Sequence, residues 1–280
     1  MKNFLRGHAP SLILIGVFVV GLAVLLYPTV SDYVNSLHRS RVIAAYNESV
    51  MRIDDERYDA MLTAARAYNE TLPEKSNRYA LSETDAEAYA ALLDVSGNGV
   101  MGYVEIPAIR VKLPIYHGTE ENTLQVGIGH MEGTSLPVGG PGTHAAVTGH
   151  RGLPSSVLLT NLDKMTVGDI FIFTILDEVL TYEADRILIV EPHETDKLEI
   201  EPDMDYATLI TCTPYGVNSH RLLVRGHRVD NIPGGSSFRV TADAIPIDPA
   251  LASGIFAAPM LAGLLVGVLI RYRRRGGLPG

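Results

Sequence analysis

Cys212 is the only cysteine in this 280-residue chain. It follows residues 207–211 (ATLIT), a run typical of a strand, and precedes the turn-forming triplet 214–216 (PYG). A cysteine in this position is either a small buried apolar residue or a nucleophile. A nucleophile needs a base or a positive charge beside it, because the thiolate is the reactive form and an ordinary thiol has a pKa of about 8.5.

Arg221 opens a second strand-like run, RLLVRGHRV, shortly after this turn. A hairpin-like return of the chain would set Arg221 near the level of Cys212. Arginine is always charged and presents several donors in a fixed fork, so it can hold a carbonyl oxygen that gains negative charge. Arg225 and Arg228 lie farther along the run and fit surface charges or structural ion pairs better.

The base for Cys212 has to come from nine histidines. His150 follows an apolar strand (145–147) and Gly149, and glycine at a strand end suits a tight exit that displays the next side chain on a rim loop. His144 precedes the same strand and is expected at its opposite end. His220 is the chief rival base. For the remaining six a structural role is the better interpretation: His8, His38, His117, His130, His193 and His227.

Two uncharged apolar runs, 12–26 and 251–270, lie near the two ends of the sequence. A helix of roughly 20 residues crosses a bilayer core of about 30 Å; the second run has that length, and the first reaches it with its flanking residues. Basic residues flank the runs on their outer sides, at 2 and 6 and at 271, 273, 274 and 275. The positive-inside rule therefore predicts a multi-pass protein of the cell membrane with both termini cytoplasmic and the body outside. The alternatives are a cleaved signal peptide for the first run and a buried core helix for the second.

The body of the chain is acidic. The formal net charge is −9, and no acidic residue precedes Asp32 or follows Asp248. Nucleic acid is not expected as a partner, because its binding depends on Lys and Arg against phosphate. A single cysteine outside the membrane cannot pair within its own chain or build a multi-cysteine metal site, and the acidic residues lack the spacing of a Ca²⁺ loop. No metal or organic cofactor is expected.

Five segments are predicted along the chain: a cytoplasmic tip and membrane helix (1–30), an extracellular helical stalk and possible lid region (31–96), a catalytic β-barrel (97–231), a linker (232–249), and a second membrane helix with a basic cytoplasmic tail (250–280). Apolar residues recur at helical spacing from 31 to about 72, without Gly or Pro, and 84–93 fits a second, short helix.

From Gly97 the sequence changes to short β-like runs separated by Gly and Pro. About eight strands in so short a stretch predict a mainly β fold, a closed or nearly closed barrel; a doubly wound α/β sheet is disfavoured because long helices do not alternate with the strands. Helical turns are expected at 121–127 and 155–162. The predicted strands are 101–109, 111–116, 145–149, 169–176, 178–184, 186–191, 206–211 and 221–229.

The segments TLITC and PYGVNSHRLLVRG resemble the active-site signature of the sortases, membrane-anchored cysteine transpeptidases of Gram-positive bacteria. TGH at 148–150 is similar to the segment that holds the family histidine. MGYVEIPAIRVKLPIYHGT, GHMEGTSLPVGG and HAAVTGHRGLP, with a C-terminal membrane run added to the N-terminal one, resemble the pilus-assembling class C branch in particular. The resemblance covers about residues 97–229.

The resemblance implies an eight-stranded sortase-type β-barrel, preceded by the helical region and flanked by two transmembrane helices. It implies Cys212 as nucleophile, His150 as general acid/base and Arg221 as the oxyanion or substrate-positioning group. The implied partners are an LPXTG-like sorting signal of a pilin or surface protein and, as acceptor, a pilin lysine. Many class C members carry a lid with an Asp-Pro-aromatic motif; this sequence lacks that tripeptide, so no lid residues are assigned.

Three alternatives stay open at this point. A sortase that anchors surface proteins to cell-wall peptidoglycan would use the same residues with a cell-wall amine as acceptor. An L,D-transpeptidase also uses Cys, His and Arg, but its usual Ser-His-Gly-Cys arrangement is replaced here by Thr-Cys-Thr-Pro at 211–214. A non-catalytic surface or pilus-assembly scaffold would leave Cys212 a buried thiol that thiol reagents do not reach.

Overall fold

The computed structural model describes residues 2–75, 77–231 and Gly267. The chain divides into two units, one of residues 1–34 with 240–280 and the other of residues 35–239. Helix α1 runs over Lys2–Val50, and its Leu14–Val50 part is the one helix in the described chain long and apolar enough to cross a membrane. The predicted linker (232–249) and second membrane helix (250–280) lie outside the described residues, apart from Gly267.

The sequence predicted one continuous helix from 31 to about 72, but the structure has two helices there. α1 ends at Val50, and α2 (Asp55–Thr71) begins after Asp54, whose carboxylate accepts a hydrogen bond from the Arg57 amide at 2.8 Å. This is an N-cap, which satisfies an amide that has no partner within the helix. The predicted short helix is confirmed as α3 (Glu83–Ala90), capped by Ser82 through the Asp85 amide at 3.1 Å.

Eight strands close into one barrel in the order β1-β2-β3-β4-β7-β8-β6-β5, which confirms the predicted fold class for the body of the chain. The strands are β1 (Val100–Ile106), β2 (Val111–His117), β3 (Ile128–His130), β4 (Thr143–Thr148), β5 (Ile170–Ile175), β6 (Glu178–Val190), β7 (Asp205–Thr213) and β8 (His220–Val229).

The predicted number of strands is correct, but two of the predicted assignments are wrong. The runs 178–184 and 186–191 are one strand, β6, whose pairing with β8 is interrupted by an irregularity between Ala184 and Arg186. β3 has only three residues and was missed. Helix α4 (Glu121–Val126) confirms the helical turn expected at 121–127. The helical turn expected at 155–162 is wrong for 155–161, which form no helix; a short 3₁₀ helix begins only at Leu162 (Leu162–Lys164).

The buried apolar side chains of the barrel strands form two separate clusters, one on each face of the sheet. The main core includes Leu209, Val224 and Phe171. The intervening positions of β7 and β8, Ile210 and Leu223, belong to a second, smaller cluster with Ala146, Val190 and Leu198. Because successive strand residues point to opposite faces, this smaller cluster forms an apolar floor on the outer face of the β4-β7-β8-β6 part of the barrel.

The last turns of α1 are fixed to the barrel by Tyr46, which is 1% exposed. Its hydroxyl donates to the Met101 carbonyl at 2.9 Å and accepts from the Leu176 amide at 2.7 Å, so one side chain links the helix to β1 and to the end of β5. Both bonds lie within the unit of residues 35–239.

Candidate active site

Cys212 and Arg221 are partners in the antiparallel β7–β8 ladder. Cys212 is the penultimate residue of β7, and Arg221 is the second residue of β8. Directly opposite residues of an antiparallel pair present their side chains on the same face, about 5 Å apart at Cβ. The expectation that a hairpin return would bring Arg221 level with Cys212 is therefore confirmed.

His150 reaches the same level through the parallel pairing of β4 with β7. Thr148 is opposite Ile210, and the pairing continues beyond the end of β4, where the Gly149 amide donates to the Ile210 carbonyl at 3.1 Å. The buried Thr211 hydroxyl then donates to the Gly149 carbonyl at 2.8 Å. His150 follows Thr148 by two residues, and Cys212 follows Ile210 by two residues. Because Thr148 and Ile210 are paired, His150 lies beside Cys212.

Gly149 is required by close packing at this exit. A Cβ atom at position 149 would lie 2.8 Å from Ile128 Cγ2 and 3.1 Å from Leu159 Cδ1. Real Cβ atoms do not approach other carbon atoms so closely, so a side chain here would push the strand end away from the barrel. The prediction that glycine serves a tight exit before His150 agrees with this geometry.

Nη1 is the guanidinium nitrogen of Arg221 that makes hydrogen bonds to the described residues. It donates to the carbonyls of Asn218 at 3.3 Å and His220 at 3.2 Å, both in or next to the β7–β8 loop. None of the ion pairs in the described part of the chain involves Arg221. No carboxylate of the described residues neutralises its charge, which is what the predicted role toward a substrate oxygen requires.

A carboxylate faces His150 from α4. Glu121 Oε1 lies 3.4 Å from His150 Nε2, which is buried and makes no hydrogen bond within the described residues. Gln125 Nε2 donates to the same carboxylate oxygen at 2.6 Å. This bond and the positive charge that His150 carries when protonated lower the pKa of Glu121. The sequence reasoning missed Glu121, although it predicted the helical turn that carries it.

The two rival histidines are placed elsewhere. His144 is buried at the beginning of β4, with Nδ1 2.9 Å from the Glu199 carbonyl and Nε2 2.7 Å from Thr208 Oγ1, and burial lowers its pKa to about 4. This confirms its expected place at the far end of the strand from His150. His220 is opposite Thr213 in the ladder, so its side chain points away from the face that carries Cys212 and Arg221.

The three predicted residues line one cleft of about 320 Å³. Its base is apolar and includes Ile210 and Leu223, and residues 191–198 form one side. Within the unit of residues 35–239, no described residue before Thr119 lines the cleft, so α2 and α3 do not contribute to its surface. The described residues contain no group of three or more His, Cys, Asp or Glu that could hold a metal ion.

Comparisons with known proteins agree with this geometry. A family model described as "Sortase domain" matches residues 104–229. The crystal structure of sortase C1 from Streptococcus agalactiae is 46% identical, with a TM-score of 0.66, over 69% of this chain and 100% of that one. The chain belongs to the sortase family, in its class C branch.

Other sortases show how far the likeness extends. The sortase C structure from Streptococcus pneumoniae is 44% identical with a TM-score of 0.61, covering 69% of this chain and 99% of that one. Sortase D of Bacillus subtilis is 27% identical over 131 residues, which are 46% of this chain and 63% of that protein. The chain thus spans less than two thirds of that curated relative. The sortase resemblance predicted for 97–229 is confirmed, while the roles of Cys212, His150 and Arg221 stay predictions.

Proposed function

We propose that this sortase is a cysteine transpeptidase that cleaves an LPXTG-like sorting signal and transfers the new carboxyl end to an amine, a pilin lysine, so that pilins polymerise. The observation that carries the proposal is the meeting of Cys212, His150 and Arg221 on one face of one cleft. A thiol, a base and a guanidinium at one point are the parts that acyl transfer needs.

In the first half-reaction the Cys212 thiolate attacks the scissile carbonyl carbon, and the carbonyl oxygen gains a negative charge. Arg221 donates hydrogen bonds to that oxygen. The tetrahedral intermediate collapses as the C–N bond breaks, and His150, protonated, gives its proton to the departing amine. A thioester between Cys212 and the shortened donor remains.

The second half-reaction reverses these roles. The lysine amine attacks the thioester carbonyl, Arg221 again holds the oxyanion, and the C–S bond breaks to restore the thiolate. His150 accepts the proton from the attacking nitrogen. One peptide bond is broken and one isopeptide bond is formed, so the reaction needs neither an external energy source nor a redox partner.

The cleft suits a peptide donor. Its apolar base, with Ile210 and Leu223 beneath Cys212 and Arg221, fits the apolar side chains of a Leu-Pro segment, and burying them there is favourable by about 25 cal/mol per Å². The Streptococcus pneumoniae sortase C structure is described as giving insights into pilin substrate specificity, and one Clostridium perfringens sortase C structure is described with a C-terminal cell wall sorting motif. Class C membership supports the same donor class here.

In the topology that we propose, two helices cross a membrane, the barrel lies outside it, and both termini lie in the cytoplasm. The apolar α1 supports the first crossing, and the run 251–270 supports the second by composition. Substrates held at the same surface would meet the cleft at high effective concentration. Reporter fusions at either terminus, tested for accessibility in intact cells, measure this topology; an extracellular C-terminus would contradict it.

The activity is tested with the full chain in detergent micelles and a peptide that contains a sorting signal. We expect a covalent donor adduct by mass spectrometry, located on Cys212 and absent from Cys212→Ala. An adduct that survives this substitution overturns the assignment. Adding a pilin lysine peptide and a cell-wall peptide amine in competition identifies the acceptor: preferential capture by the wall peptide would overturn the pilus-building part of the proposal.

A further inference from the structure

The loop between β6 and β7 (191–204) is one wall of the cleft. Thr195 and Leu198 both line the cleft. Leu198 is 3% exposed because its side chain packs into the apolar floor with Ile210 and Leu223. The position of this loop therefore decides how wide the cleft is at the point where a donor peptide would lie.

A second groove, of about 450 Å³, lies behind this wall. It is bounded on one side by 195–200 and on the other by residues of 72–79, the segment between α2 and α3. Thr195 lines both the groove and the cleft. As far as the described residues show, the wall thus has a groove on its far side as well as the cleft on its near side, so it has room to move away from the cleft.

Among the described residues, three polar contacts hold the wall near Leu198. His144 Nδ1 lies 2.9 Å from the Glu199 carbonyl, and Arg225 Nη1 lies 3.8 Å from Glu201 Oε1; both residues belong to the barrel. The third comes from outside the barrel, where Arg78 Nη2 donates to the Leu198 carbonyl at 2.8 Å. Arg78 lines the groove, so its side chain bridges the space behind the wall.

Arg78 is itself held firmly. Its guanidinium donates to the Tyr79 hydroxyl at 2.8 Å and lies over the Tyr79 ring, with Cζ 4.9 Å from the ring centre. Its backbone packs closely against Gly133 in the turn that follows β3. The approach is so close that a Cβ atom at Gly133, whose φ is +81°, would lie 2.2 Å from the Arg78 carbonyl oxygen. The side chain therefore extends from a fixed base to the wall.

We propose that Arg78 is a positioning residue that sets the width of the donor cleft by fixing the Leu198 wall from behind. This inference rests on the proposed function for its effect on donor binding. A charged donor on a carbonyl makes a stronger hydrogen bond than a neutral one, so its loss frees the wall from its attachment to the 72–79 segment and lets the wall change its position. Cys212, His150 and Arg221 lie on β7, on the exit of β4 and on β8 and are not moved. The N-terminal helical region thereby controls which donors bind, not how fast the bound donor reacts.

The test compares Arg78→Ala with Lys75→Ala in the full chain in detergent micelles. Lys75 is a cation of the same segment that lines the same groove; its described partners are Asp85 and the Tyr68 ring, and it makes no described contact with the wall. In Arg78→Ala we expect amide hydrogen exchange in 194–201 to be about tenfold faster than in wild type. We expect KM for a sorting-signal peptide to rise about fivefold, while kcat stays within about twofold of the wild-type value. Lys75→Ala should match wild type in all three.

Each outcome decides a separate point. The inference is overturned if amide hydrogen exchange in 194–201 is no faster in Arg78→Ala than in Lys75→Ala. Faster exchange with an unchanged KM overturns the link between the wall and donor selection. Hydrogen exchange needs no substrate, so it decides the wall contact even if wild type proves inactive on sorting signals, a result that would overturn only the proposed function.

A second variant guards against loss of folding. If Arg78→Ala exchanges faster throughout the barrel strands, Arg78→Lys takes its place, because lysine keeps the charge and one donor but not the fork. We expect it to shift exchange in 194–201 and KM in the same direction by about twofold, with the rate of Cys212 alkylation by a small thiol reagent unchanged. An alkylation rate that changes in step with KM would mean a general disturbance of the site and would overturn the positioning role.

Discussion

Cys212 and Arg221 face each other across the β7–β8 ladder, each one residue from the end of its strand. A two-strand register fixes this relationship more firmly than a loop could, because both backbones are held by ladder hydrogen bonds. The Arg221 side chain is thus presented on the same face of the sheet as the Cys212 thiol, and the proposed role is that it donates to the carbonyl oxygen of a donor bound there. Prepositioned donors are effective in catalysis because they do not have to reorganise as charge develops.

Replacing Arg221 tests the proposed role of this guanidinium. Arg221→Ala should lower kcat/KM by about 10²- to 10³-fold, the range seen when one oxyanion donor is removed, and Arg221→Lys by less, because lysine keeps the charge without the fork. Steady-state kinetics with a sorting-signal peptide measure both. Arg186→Ala, an exposed arginine of β6, is the control, and equal effects of the two alanine substitutions would contradict the role.

Glu121 is expected to assist proton transfer by His150 through the negative charge that its carboxylate places beside the imidazole ring. Glu121→Gln removes the charge 3.4 Å from Nε2 and should lower kcat/KM by about two- to fivefold in dilute buffer. The carboxylate is exposed, so salt should screen the effect and bring the two proteins together at about 1 M NaCl. Glu120→Gln, on the neighbouring exposed residue, is the control; an effect of Glu121→Gln that is independent of salt argues against an electrostatic role.

Thr211 should act on catalysis through the His150 loop. Thr211→Val keeps the shape of the side chain but removes the hydrogen bond to the Gly149 carbonyl, which should cost about 1 kcal/mol of stability and lower kcat about tenfold, since small misplacements of a base are expensive. Alkylation of Cys212 by a small reagent should be unchanged. Thr181→Val, which removes a buried hydroxyl bonded to Asn231, should cost similar stability and leave kcat unchanged. If both variants lose kcat equally, the effect is general destabilisation.

Buried His130 and His144 make the fold sensitive to acid. Burial lowers the pKa of each to about 4, below the ordinary value of about 6.5. Between these values the unfolded chain binds protons that the folded chain excludes, so the free energy of unfolding should fall as pH drops from about 6.5 to about 4, by about 1.4 kcal/mol per pH unit and per histidine.

Denaturant unfolding of the full chain across this pH window tests the expectation. His144→Gln should reduce the slope of unfolding free energy against pH by about one histidine's share, whatever it does to the absolute stability. His193→Gln is the control, because the side chain of His193 is 79% exposed. A slope unaffected by His144→Gln would show that this histidine titrates alike in the folded and unfolded states.

Much of the candidate site was predictable because it depends on local sequence at strand ends. A glycine and a histidine after an apolar strand locate His150, and a hairpin return locates Arg221. The relationship of His150 to Cys212 is different: it depends on the parallel pairing of β4 with β7, two strands that are far apart in the sequence, since β4 ends at Thr148 and β7 begins at Asp205. Spacing alone could not establish that pairing; the family resemblance implied that His150 and Cys212 act together but not which strands bring them together.

The misses have physical causes. β3 is three residues long, too short to show an alternating pattern, and it is held by its neighbours β2 and β4. The break at Asp54 did carry a signal, an Asp followed by Asp55 and Glu56, typical of a helix start; apolar residues at helical spacing on both sides concealed it. Glu121 and Arg78 act across tertiary contacts, and no local pattern identifies such a partner.

Gly149 and Thr211 give a practical rule for redesign. Both hold the exit of β4 against β7, and neither belongs to the wall residues 194–198 across the cleft. A library that keeps 149, 150, 211, 212 and 221 constant and varies 194–198 together with position 78 would change the recognition surface without touching the reacting groups. Selection from such a library for ligation of non-native peptide tags should yield variants with altered tag preference and turnover close to that of the parent.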